Sequence, residues 1–222
     1  MTGRVAAITA ALLACAGCLS SSVSPPKAWT VSPGYAKPSA APRPVEYAVA
    51  RQGAVTVLPP CDSVSFVVCR KDGSVVHDPY NVFISPPSSL LRAAVRARLE
   101  ADGRFGRVMP QSSAASADVL VEVLVSDLSL DCTVADRRMA HAAVSVDVLR
   151  ADRGARTVIL SGKGDSRDGN PDGGVGVVKD GDYTAAFSQA FDTALAGALQ
   201  SLKAPAQPSS PSIESKPKGE PK

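Results

Sequence analysis

From Asp118 to Asp131 valine recurs at every second position, Val119, Val121, Val123 and Val125. Leu120, Leu124, Leu128 and Leu130 occupy the alternate positions, interrupted by Glu122 and Ser126. A period of two in β-branched residues is the mark of a strand, and apolar residues on both faces mark one inside a sheet. This segment therefore predicts a long central strand, and the rest of the fold must be arranged around it.

The neighbouring sequence supplies partners. Ala140 to Leu149 alternates, with Ala142, Val144, Val146 and Val148 on one face and His141, Ser145 and Asp147 on the other. Arg150 to Gly154 reads as a turn and Thr157 to Gly164 as the returning strand, so the three form an antiparallel meander. Upstream, Val45–Val49 and Ala54–Leu58 flank Arg51-Gln52-Gly53, a pattern that predicts an opening hairpin. Pro59-Pro60 breaks the chain, Val64–Arg70 reads as a further strand, and Phe105–Val108 as a short one. Gln111–Ala117 reads as a loop or short helix.

Two helices complete the pattern. Leu91, Val95 and Leu99 repeat every four residues after prolines that suit a first helical turn, and Gly103 stands where a left-handed stop is expected. Phe187, Phe191, Leu195 and Leu199 form the second ladder, with Asp180 or Asp182 as cap. The expected class is α/β: a mixed, mainly antiparallel sheet with two main helices.

Prolines divide the chain. Leu19–Pro44 carries six of the 18 and Ala204–Lys222 five more, and both segments are rich in Ser, Ala and Lys. Segments of that composition bury too little apolar surface to offset the entropy of ordering. They are read as a tether at 18–44 and a disordered tail at 204–222, with one folded domain at 45–203. The folded part holds 17 basic and 19 acidic side chains, so the overall charge of +3 belongs to the flanks. A nucleic-acid reader would concentrate its cations on the domain, and this chain does not.

The N-terminus reads as an address. Arg4 precedes the apolar run Val5–Ala14, too short to span a bilayer permanently, and Ala16-Gly17 lead to Cys18. Residues 1–17 are expected to be a secretory signal. Ala16-Gly17-Cys18 resembles the lipobox of bacterial lipoproteins, with Cys15 where leucine is usual; Leu12-Leu13-Ala14-Cys15 is a second, weaker candidate. The resemblance implies acylation of Cys18, which becomes the first mature residue. By analogy with enterobacterial sorting, Leu19 in place of Asp implies the outer membrane.

Export exposes Cys61, Cys69 and Cys132 to an oxidising compartment. Cys61 and Cys69 could pair across a turn, Cys132 could pair with either, and one thiol is left over in each case. The spacing of the cysteines and of the two histidines, His77 and His141, fits no zinc site. Asp168-Gly169-Asn170-Pro171-Asp172-Gly173 resembles the first half of a calcium loop, but Lys179 stands where the bidentate Glu belongs. Gly162-Lys163-Gly164 and Gly173–Gly176 do not form a phosphate-binding loop, and no G-x-S-x-G elbow occurs. No metal site, no cofactor and no catalytic set is expected.

Several motifs come in a recognisable order: Phe66-Val67-Val68-Cys69-Arg70, Tyr80-Asn81, Pro86-Pro87-Ser88-Ser89-Leu90-Leu91, Leu99 through Gly103-Arg104-Phe105 to Val108, and Ala117-Asp118 before the long strand. Together they resemble the ABC-type transport auxiliary lipoproteins, the group that includes the third protein of the paraquat-inducible operon, over about Tyr47–Leu202. The resemblance implies a three-layer α/β unit like the anticodon-binding domain and a periplasmic, lipid-anchored, non-catalytic role. It implies MCE-domain proteins and ABC transporter subunits as partners, with a homo-oligomer by analogy. Here Tyr80 lies in the region where the family often carries tryptophan, and Trp29 sits in the tether. The alternative is an anchored regulatory lipoprotein that activates a cell-wall synthase.

Overall fold

The computed structural model describes residues 24–35, 43–152, 155–168 and 174–205. The expected signal peptide, Cys18, most of the tail and the calcium-like segment 169–173 lie outside the described residues, as does part of the turn at 150–154.

Eight strands form one sheet: β1 (Lys27–Trp29), β2 (Tyr47–Val57), β3 (Ser65–Arg70), β4 (Val75–Phe83), β5 (Phe105–Met109), β6 (Val119–Cys132), β7 (Met139–Asp152) and β8 (Ala155–Asp165). Two helices, α1 (Pro87–Asp102) and α2 (Tyr183–Gln200), and a 3-10 turn at Pro33–Tyr35 complete the fold. The long valine-rich segment is the centre of the sheet, as its pattern requires. One edge of β6 carries β7 along most of its length, antiparallel, and β8 follows antiparallel to β7. The opposite edge is shared: β2 pairs in parallel with Ala50 opposite Val119 through Val57 opposite Val125, and β3 in parallel from Val67 opposite Ser129 onward. The break at Pro59-Pro60 lies between these two partners. β5 extends the sheet beyond β2, and β4 and then β1 extend it beyond β3. The sheet is thus mixed, with its longest pairings antiparallel.

The expected hairpin at Val45–Leu58 is instead one continuous strand. Arg51 and Gln52 stay paired with β6, and Gly53-Ala54 forms a bulge where a turn was expected, the register shifting between Gln52 and Val55. Gln52 is buried and its amide donates to the Arg92 carbonyl at 2.8 Å, tying the strand to α1. A Cβ on Gly53 would stand 2.8 Å from Glu122 Cγ, so glycine lets β2 approach β6 closely.

A second bulge changes the face assignment of β6. The register to β7 shifts between Val125 and Asp127, so Leu128 and Leu130 join Val119, Val121, Val123 and Val125 in the core. The simple alternation had placed those leucines on the other face. The residue turned outward in their stead is Asp127.

Both helices cover the same face of the sheet. α1 packs on β2 and β5 and α2 on β7 and β8, and the helices touch each other. The described residues therefore form two layers, sheet and helices, where the family resemblance implied three. α1 begins with Pro87 and stops at Gly103, whose φ of 82° is the left-handed conformation expected there. α2 is capped by the Asp182 carboxylate, which accepts from the Ala185 amide. Gly162 and Gly164 serve packing: a Cβ would lie 2.1 Å from the Ala198 oxygen on Gly162 and 2.0 Å from the Ala194 oxygen on Gly164. α2 crosses β8 backbone on backbone.

Candidate functional site

The N-terminal approach to the domain is ordered by tertiary contacts, although its composition predicts a free tether. β1 runs parallel to β4, pairing Lys27 with Asn81 and Trp29 with Phe83. The Trp29 indole N–H donates to Asn81 Oδ1 at 3.1 Å, and its ring meets Tyr183 edge-on at 5.0 Å. Val31 is buried, and the Ser32 amide donates to Ser188 Oγ on α2 at 2.8 Å. Trp29 thereby joins an aromatic cluster of Tyr183, Phe66, Phe83 and Phe187, with ring centroids 4.6–5.6 Å apart. The folded unit begins by Lys27 rather than at Val45. The signal for this was a tryptophan within a proline-rich stretch, a residue type that gains from burial even where its neighbours do not.

The second feature lies on the uncovered face of the sheet. His141 is only 4% exposed. Its Nδ1 is 2.9 Å from Asp127 Oδ2 and its Nε2 is 2.7 Å from Asp165 Oδ1. The β6 bulge turns Asp127 toward it, and β8 brings Asp165. Burial disfavours the imidazolium, but hydrogen bonds to Asp127 and Asp165 outweigh this and raise the His141 pKa above its ordinary value of 6.5. Burial would likewise raise Asp127 and Asp165. For Asp127 the hydrogen bond from His141 reverses it, and for Asp165 the Arg167 amide and then His141 do so, leaving both carboxyls below the usual range.

Both ring nitrogens of His141 face carboxylates, so the protonated imidazolium donates to Asp127 and Asp165 together. Cys61 adjoins this knot, with Sγ 3.7 Å from Asp127 Oδ1 and accepting from the Leu128 amide at 3.3 Å. Burial pushes its thiol up to about 11, so it stays protonated at neutral pH. Cys61, Cys69 and Cys132 are all free thiols. Burial also raises Cys132, whose surroundings include the Cys69 thiol. His77 is exposed on β4, away from the knot. Among the described residues no group of His, Cys, Asp and Glu is placed to hold a metal ion. No described helix is long and apolar enough to cross a membrane.

The concavities are surface grooves. One of about 500 Å³ lies between α1 and the segment after β5, lined by Gln52, Arg92, Arg96 and Gln111. A neighbour of about 490 Å³ runs over Gly53 between Arg51, Glu122 and Arg156. Neither contains His141 or a cysteine.

No family model matches the chain, and no curated protein is significantly similar to it in sequence. Among solved structures, a Xanthomonas campestris protein of the family DUF330 superposes with a TM-score of 0.51 at 18% identity, over 77% of this chain and 87% of that one. The crystal structure of an uncharacterized protein matches with a TM-score of 0.44 at 13% identity, over 70% and 92%. The Xanthomonas protein shares the fold.

Proposed function

We propose that the chain is a lipid-anchored, non-catalytic subunit on the periplasmic side of the cell envelope, an adaptor in an ABC/MCE-type lipid transport system. Cys18 carries the acyl anchor, at the outer membrane, and the α/β domain presents the surface that binds the MCE-domain protein and the transporter. The observation that carries the reading is the docked N-terminal segment. A strand of the domain begins at Lys27, nine residues after Cys18, and this short spacing supports the reading of a domain held near its anchor. Likeness of fold to a DUF330 protein and the ordered motifs from Phe66 to Val123 support the family assignment.

A non-catalytic role is part of this proposal. It is supported by the enclosure of His141 between Asp127 and Asp165 and by the burial that keeps the Cys61 thiol protonated at neutral pH. In this reading His141 is structural.

Two strains test the proposal. Deleting the gene for this chain should reproduce the envelope defect of deleting the MCE-domain protein, and a Cys18→Ser protein expressed at the same level should fail to restore it. A deletion that instead lowers cell-wall synthase activity, with lipid transport intact, would select the regulatory alternative.

A further inference from the structure

Lys27–Tyr35 lies against the domain as a strap. Its first part, β1, pairs only with Asn81–Phe83 at the end of β4, on an outer edge of the sheet. Continuing that register toward Cys18 would set Pro26 opposite Tyr80 and Pro25 opposite Pro79. Of two adjacent strand residues one turns its nitrogen to the neighbour, and here both are prolines without an N–H. Pairing therefore begins at Lys27. Further along, Trp29 and Ser32 reach Asn81, Tyr183 and Ser188, Val31 is buried, and the Pro33–Tyr35 turn packs against both α1 and α2.

Docking takes chain out of the connection to Cys18. Nine residue steps lead from Cys18 to Lys27, and fully extended they span about 30 Å. With the strap undocked, the first point held to the domain is Arg43, whose guanidinium pairs with the Asp102 carboxylate at 3.4 Å. Arg43 is 25 steps from Cys18, about 80–90 Å at full stretch. As flexible coils the two connections have r.m.s. spans of about 15–18 Å and about 25–30 Å. β1 pairs with no strand but β4, and β2–β8 and both helices follow the strap in the chain. Its release thus lengthens the connection without breaking any other pairing in the sheet.

We infer that the docked strap sets how far the domain stands from the membrane that holds Cys18, and that Trp29 fixes this setting. The inference rests on the proposed acylation of Cys18. It concerns distance alone and requires no particular face of the domain to touch lipid. Trp29 is placed for the role because one side chain joins the strap to two elements, its indole N–H to Asn81 on β4 and its ring to Tyr183 on α2. With the strap docked, a protein that binds the domain has to present its own surface close to the same membrane.

The test is neutron reflectometry of the full acylated protein on a supported phosphatidylcholine bilayer, which reads the distance of the domain from the lipid. Three variants are compared with the parent after circular dichroism has checked their fold: Trp29→Ala, a chain with residues 27–35 replaced by nine Gly and Ser residues, and a chain with sixteen Gly and Ser residues inserted between Cys18 and Ser24. The first two undock the strap at constant chain length, and the third lengthens the connection with the strap in place. All three should move the domain outward by about 10 Å. If the replaced segment does not fold, Trp29→Ala and the insertion decide. An insertion that moves the domain while the undocking variants stay at the parent's distance overturns the inference, and so does an insertion that moves nothing; both leave the anchor standing. Movement by the replaced segment but not by Trp29→Ala overturns the role given to Trp29. An N-terminal mass without acyl groups overturns the anchor, and this inference falls with it.

Discussion

Arg98 on α1 and Asp192 on α2 form a two-pronged ion pair across the helix layer. Arg98 Nε donates to Asp192 Oδ1 at 2.7 Å and its terminal nitrogen reaches Oδ2. The side chains are only 9% and 19% exposed. Truncating one partner strands the other charge in a poorly hydrated place. Arg98→Ala should lower the unfolding free energy by about 3–5 kcal/mol, whereas Arg98→Met with Asp192→Leu should cost little. Urea denaturation of the two variants measures the difference; equal losses would show the pair to be unimportant.

The contact of α2 with β8 allows no side chain at Gly164. Gly164→Ala places a methyl group 2.0 Å from the Ala194 oxygen and 2.4 Å from the Ala198 nitrogen. The helix must shift, at a cost of about 1–3 kcal/mol or more. Gly174→Ala is the control, since nothing lies within 4 Å of its added carbon. Thermal melts should separate the two variants by several degrees.

The His141 knot gives stability a pH window. A raised histidine pKa contributes stability that is fully present below the unfolded value near 6.5 and is lost as pH rises through the folded pKa. Lowered carboxyl pKa values contribute stability that is present above about 3.8 and lost as pH falls through the folded values of Asp127 and Asp165. The knot therefore contributes most between about pH 4 and 6.5. Unfolding free energies measured from pH 5 to 9 should fall across the alkaline limb in the parent protein. In His141→Gln that limb should flatten.

Trp29 is the only tryptophan, so its fluorescence reports the docking of β1. Trp29→Ala removes the hydrogen bond to Asn81 and the ring contact with Tyr183. Cleavage by trypsin after Lys27 should accelerate in the variant while far-ultraviolet circular dichroism stays near that of the parent. Unchanged cleavage would mean that Val31 and the Ser32–Ser188 bond hold the segment alone.

The local elements were legible where residues act through the backbone. Gly103 and Asp182 mark helix ends as glycine stops and acidic caps do elsewhere, and the valine period of β6 is visible without any partner. What escaped depends on contacts distant in sequence. Gly53 can close a turn or admit a bulge, and only the proximity of Glu122 decides. Ser126 shifts Leu128 and Leu130 into the core because β7 imposes the register. Pro79 disguises β4, yet it sits where pairing with β3 skips from Phe66–Asp78 to Ser65–Val82, a place where a missing N–H costs nothing. The His141 knot joins residues from three strands, and alternation alone showed only that His141 faced away from the helices.

Crosslinking in intact cells, followed by identification of the captured proteins, tests the adaptor role most directly. The account predicts that the parent protein captures an MCE-domain protein and ABC transporter subunits, and that Cys18→Ser captures them weakly. Capture of a cell-wall synthase, with no transporter component, would contradict it.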